Sequence, residues 1–143
     1  MTPKSVDANQ RHIVAALQAA GVHLRISGQP PRKSNSRQIV TNKRTGRPMV
    51  IKSAKARQWV RDAIVQIPTS AKRGIGSQEH PLAITFWVRY ASRRSDLSIE
   101  LVMDMLEKAG VISNDRHVYQ FCAYKEFSKD DPGVEILVEE IAS

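Results

Sequence analysis

Apolar positions along this chain recur in two rhythms, one alternating and one helical, and they predict most of its elements. Leu82, Ile84, Phe86 and Val88 alternate with Ala83, Thr85, Trp87 and Arg89, which predicts a strand over 82–90. Ala56, Val60, Ala63, Ile64 and Ile67 recur at helical spacing behind Ser53, a residue suited to an N-cap. A helix is therefore expected from Ala54 to about Gln66, with Lys55, Arg57 and Arg61 outward and Pro68 closing it. A second stripe of Ile99, Val102, Met103 and Leu106, supported by Leu97 and Leu101, predicts a helix from Asp96 to Ala109. Ser95 or Asp96 would cap it and Gly110 would end it. Ile13, Val14, Leu17 and Ala20 predict a further helix over 7–20, stopped by Gly21.

Weaker patterns complete the outline. Val22–Ser27 and Met49–Ile51 read as short strands, and Val118–Phe127 and Val134–Ile141 as longer ones joined by the Asp130–Gly133 turn. The prolines of Gly28–Arg37 predict an exposed loop that continues to the Thr45–Gly46 turn, and residues 69–80 read as a mobile loop. The order is that of an α+β domain with a mixed sheet. Its 143 residues suit one domain. The segment 1–22 reads as an N-terminal helical extension and 23–143 as the domain proper.

Composition removes several classes. Cys122 is the only cysteine, so no intrachain disulfide and no cysteine-based zinc site can form. Its strand-like flanks predict a packed thiol. No apolar run approaches the roughly 20 residues of a membrane span. Nor does the N-terminus lead into a signal core, so the expected location is cytoplasmic.

Charge changes the picture more. Met1–Arg94 holds 18 Lys/Arg against Asp7, Asp62 and Glu79, a net +15, whereas Ser95–Ser143 holds 4 against 11 acids, a net −7. A basic front suits phosphate binding while carboxylates do separate work.

Asp96, Glu100 and Asp104 stand at i, i+4 and i+8 of the expected helix, and Glu107 extends the row. Like charges at that spacing repel by roughly 0.2–0.5 kcal/mol per pair. A hard cation, Mg²⁺ or Mn²⁺, would relieve the repulsion through oxygen ligands; a solvated polar face has the same spacing. Arg93 and Arg94 precede the row and would hold a phosphate beside it, and Asn114–Asp115 offers a further carboxylate at a turn. His117 reads as a half-buried structural histidine. His12, His23 and His80 show no ligand spacing.

From these residues the chain resembles the RusA family of Holliday-junction resolvases over about 115 residues. Gln29–Asn35 resembles the family's Pro-Pro-Ser-x-Asn segment, followed by Gly46–Val50 and the basic helix around Trp59–Arg61. Asp104–Met105–Leu106, Lys108–Asp115, Val118 and Lys125 resemble the D-x-L…G-V-I-x-N-D…V…K tail. Before that tail the family has D-x-D-N-x-x-K-x-x-x-D. An ungapped match puts Arg94 at the first Asp, Asp96 at the second, Leu97 at the Asn and Glu100 at the Lys. A shifted match puts Asp96 first and Ser98 second, but deletes two residues. The ungapped form is preferred because such a loss rotates a helix face by about 200°.

The resemblance implies a mixed α/β intertwined homodimer that binds four-way DNA junctions and cuts paired strands with Mg²⁺. It implies Asp96, Glu100 and Asp115 as metal ligands, Lys125 or Arg94 as the replacement for the missing lysine, and Asp104 behind them. Arg32, Lys33, Asn35, Arg37, Lys43, Arg44 and Arg47 would hold the DNA backbone, mostly without reading bases. Two other readings remain open: a junction-binding protein of the same fold that does not cut, and a basic RNA- or ribosome-associated factor.

Overall fold

The computed structural model describes residues 21–32, 37–93 and 95–141. The helix expected over 7–20, and Lys33, Asn35 and Arg94, lie outside the described residues. The chain builds an α+β arrangement of a four-stranded mixed sheet, a separate two-stranded hairpin and two α-helices. No described helix is long and apolar enough to cross a membrane.

Strand β4 (Leu82–Tyr90) is the centre, and both of its neighbours are strands. β6 (Gly133–Glu140) runs antiparallel along one side, and β1 (Val22–Ser27) lies antiparallel beyond it. β5 (Val118–Phe127) runs parallel to β4 on the other side, giving the order β1-β6-β4-β5. The turn after β5 therefore joins two strands that do not pair. It passes over the end of β4, where the Ser128 amide donates to the Tyr90 carbonyl at 2.9 Å.

Helix α1 (Ala54–Gln66) forms as its sequence predicts, and the Ser53 hydroxyl accepts from the Ala56 amide at 3.1 Å. Its Ala56, Trp59, Val60 and Ala63 are buried. Gln66 brackets Ser27, accepting its amide at 2.8 Å and donating to its carbonyl at 2.9 Å, so α1 is pinned to the end of β1. The core gathers under the helices from Leu24, Ile26, Ile84, Phe86, Val102 and Leu106.

Two expectations are corrected and one is refined. Arg37–Thr41, expected as loop, is strand β2, paired antiparallel with β3 (Pro48–Lys52). Only Ile39 and Val40 are apolar there, and pairing with β3 supplies what periodicity lacks. Residues 69–80 are a loop as expected apart from a 3₁₀ turn at Thr69–Ala71, and they are tied to the chain after the second helix: Gly74 and Ile75 amides donate to Gly110 and Val111 carbonyls at 2.7 and 3.1 Å. Cys122, expected packed, is exposed because β5 is the outermost described strand on its side.

The far face of the sheet holds a buried charge cluster. Glu135 is 1% exposed. It meets His23 at 2.9 Å, Arg25 at 3.2 Å and Arg89 at 3.6 Å. The pairs follow from register, since Arg25 and Trp87 flank Glu135 across the two neighbouring strands. Burial and then the like charge of Arg25 pull the Arg89 pKa down, opposed by Asp131 and Glu135. Gly133 is obligatory beside this cluster, because a Cβ there would collide with the Ile26 carbonyl.

Glu135→Ala leaves Arg89 buried without its carboxylate and is expected to cost roughly 3–5 kcal/mol in urea unfolding. A loss below about 1 kcal/mol, the scale of an exposed pair, would contradict this account of the cluster.

Candidate functional site

The crossover from β4 to β5 carries helix α2 (Glu100–Ala109), which begins later than its apolar stripe suggests. Ile99 is the N-cap and makes no side-chain cap bond. Asp96 and Ser98 are not helical, and the Ser98 N–H donates to the Tyr90 hydroxyl at 3.2 Å. Burial raises the Tyr90 pKa, the Ser98 bond lowers it, and the nearby charge of Asp96 raises it. The expected row of carboxylates thus shortens to Glu100, Asp104 and Glu107.

The β2–β3 hairpin meets that row. Arg37 and Lys52 are opposite each other across the two strands. Arg37 reaches Glu100 at 3.0 Å and Lys52 reaches Asp104 at 3.3 Å. The match is geometric, since residues four apart rise about 6 Å along a helix and paired strands lie about 4.8 Å apart. The cations of the hairpin therefore offset the repulsion that the carboxylate spacing creates.

Beyond the helix, Gly110 adopts φ 79° and turns the chain toward Asn114. The Asn114 side chain accepts the Arg116 amide at 3.0 Å and starts the short 3₁₀ turn Asp115–His117. The Asp115 amide donates to Glu107 Oε2 at 3.2 Å, fixing Asp115 beside the last turn of α2. His117 is half-buried.

Between α2 and β5 runs an open trough of about 550 Å³. Glu100, Asp104 and Asp115 line it, with Arg37, Met103 and Phe121. Asp96 is not among its lining residues. A smaller hollow of about 300 Å³ adjoins Asp104 and is lined by Lys52, Glu107 and Lys108. Among the described residues, no group of three or more His, Cys, Asp or Glu stands close enough to hold a metal ion.

The other expected residues are dispersed. Lys125 donates to the Arg93 carbonyl at 2.7 Å, and the Arg93 guanidinium lies 4.5 Å from the Phe127 ring centre. Arg32 lines a separate hollow of about 450 Å³ with Lys55 and Trp59. Lys43, Arg44 and Arg47 are exposed at the hairpin tip, whose turn is held by the Asn42 side chain accepting from the Arg44 amide at 2.9 Å. Sequence spacing points to neither Lys52 nor Phe121. Lys52 was detectable only through its register with Arg37, and Phe121 only through the outer position of β5.

The chain matches no model of a known protein family. No curated protein matches it.

A double-mutant cycle of Arg37→Ala with Glu100→Ala is expected to give about 0.2–1 kcal/mol of coupling, because both partners are exposed. Raising salt should erase it. Coupling that persists unchanged at high salt would contradict a solvent-screened pair.

Proposed function

We propose that this protein is a metal-dependent endodeoxyribonuclease acting on four-way DNA junctions, a divergent relative of the RusA resolvases. The observation that carries the proposal is the trough itself. Three carboxylates, Glu100, Asp104 and Asp115, line one open groove, and Arg37 enters it from a hairpin with further cations at its tip. Carboxylates beside phosphate-binding cations are what hydrolysis of a phosphodiester needs.

The donor chemistry fits a hard divalent cation, since every candidate ligand is a carboxylate oxygen and the groove is open to solvent. The three carboxylates do not stand close enough together in the free protein to hold it; Glu100 and Asp104, one turn apart, would offer ligands from the helix, and Asp115 would have to close in from the turn beyond. Asp96 stands outside the trough and is left out of this set. When bound, such an ion polarises the phosphate and lowers the pKa of an attacking water.

The chain's own residues do the rest. Arg37 and Lys52 neutralise Glu100 and Asp104 in the free protein and would be free to take DNA phosphates if a cation took the carboxylates. Exposed pairs worth about 1 kcal/mol or less can be exchanged in this way. Lys43, Arg44 and Arg47 at the hairpin tip add backbone contacts that do not read sequence. Cutting two strands of one junction requires two copies, so the proposal includes a homodimer.

One observation favours a second reading. If Arg37 and Lys52 stay on the carboxylates, the protein binds junctions without cutting them.

Incubation of a synthetic four-way junction with Mg²⁺ distinguishes the two. The nuclease reading expects paired nicks that Asp115→Asn abolishes. Salt-sensitive, shape-selective binding with no nicks under Mg²⁺ or Mn²⁺ supports the binder. Tighter binding to RNA than to any branched DNA sinks both.

A further inference from the structure

We propose that the outer strand β5 is a stacking platform for unpaired bases, formed by the exposed rings of Tyr119, Phe121 and Phe127 with Arg93 and Lys125 as its cations. It rests on the nucleic-acid reading above and deepens it. The trough accounts for phosphate; the platform accounts for the bases of a strand that has left its duplex.

Register decides which way Phe121 and Phe127 face. Phe121, Lys125 and Phe127 are partners of Ile84, Val88 and Tyr90, whose side chains lie in the core beneath the helices. They therefore share the helix side of the sheet, yet Phe121 and Phe127 remain 59% and 44% exposed. Leu82 pairs with Val118 and Ala83 with Gln120, so Tyr119 is an extra residue at a register shift, and it is 60% exposed. Such irregularities re-aim side chains next to functional sites.

An outer strand that shows three aromatic rings is a hazard for edge-to-edge association. Lys125 would by itself guard the edge; it does not explain why the exposed positions are aromatic. Base stacking does, because every base offers a flat π face and aromatic side chains bind it without regard to sequence. Arg93 already occupies such a geometry, with its guanidinium 4.5 Å from the Phe127 ring centre. Lys125 holds the Arg93 carbonyl at 2.7 Å with one of its three donors. Cations interleaved with rings suit a polyanion that carries bases.

The dimensions agree. Tyr119 to Phe127 spans roughly 27 Å of strand at about 3.3–3.4 Å per residue. Single-strand sites in other folds take about 4–16 nucleotides. Phe121 also lines the trough that holds Glu100 and Asp115, so a base stacked on it brings its own phosphate to the carboxylates.

The test is binding by the full chain, without divalent metal so that cutting plays no part. An oligothymidine of about 16 nucleotides is compared with a blunt duplex of equal length by fluorescence anisotropy. Phe127→Ala, outside the trough, is expected to weaken oligothymidine binding about tenfold and to leave duplex binding and the salt slope unchanged, and Phe121→Ala to weaken oligothymidine binding by a similar factor. Phe127→Leu keeps the apolar bulk and should behave as Phe127→Ala. Equal losses on both ligands, or none on either, overturn the platform. So does a change of oligomeric state in sedimentation with oligothymidine affinity intact, which would make the rings a surface for a second copy. Ring-dependent oligothymidine binding with an uncut junction would reject the nuclease reading alone. A junction cut normally by variants that bind oligothymidine normally would reject the platform alone.

Discussion

Everything at the candidate site depends on β4 being enclosed. It is hydrogen-bonded on both sides and carries Phe86, Val88 and Tyr90 into the core on one face and Trp87 and Arg89 into the buried far face. With β6 antiparallel on one side, β5 arrives parallel on the other, and a parallel neighbour needs a long crossover. That crossover is α2. Its ten residues, about 15 Å of helix, carry the chain from the end of β4 back to the start of β5. Asp96 and Asp115 are thereby placed before and after the helix, and the trough runs alongside it.

The hairpin uses the same spacing from the other direction. Arg37 and Lys52 are cross-strand partners, so they meet carboxylates one helical turn apart on α2. Beyond them Ile39 and Val50 are largely exposed, and the cationic tip stands clear of the sheet. Two ion pairs, one exposed and one with Lys52 half-buried, hold such an arm without fixing it. A ligand that competes for either member of each pair acts on the arm and the carboxylates together.

The sequence was most legible where one physical signal decides. The alternation of 82–90 and the capped stripe of 54–66 each produce their element, because both bury an apolar face against the same core. It was least legible where tertiary contacts decide. The apolar stripe begins at Leu97, but the helix starts only at Glu100; Leu97 is exposed and the Ser98 amide is bound to the Tyr90 hydroxyl. Arg37–Thr41 becomes a strand only by pairing with β3, and nothing in that segment alone announces it. Of the expected carboxylate row, Glu100, Asp104 and Glu107 lie on the helix and Asp96 does not. The row's nearest cations, though, belong to a hairpin that helical spacing cannot reveal.

The central claim is that the β2–β3 arm is held over the α2 carboxylates by exchangeable ion pairs. Spin labels at Val50→Cys and Lys108→Cys, in a Cys122→Ser background, measure the distance from arm to helix directly. A narrow distribution in the free protein that broadens and lengthens on adding Mg²⁺ and a four-way junction is the predicted result. A distribution that neither ligand alters would contradict the claim.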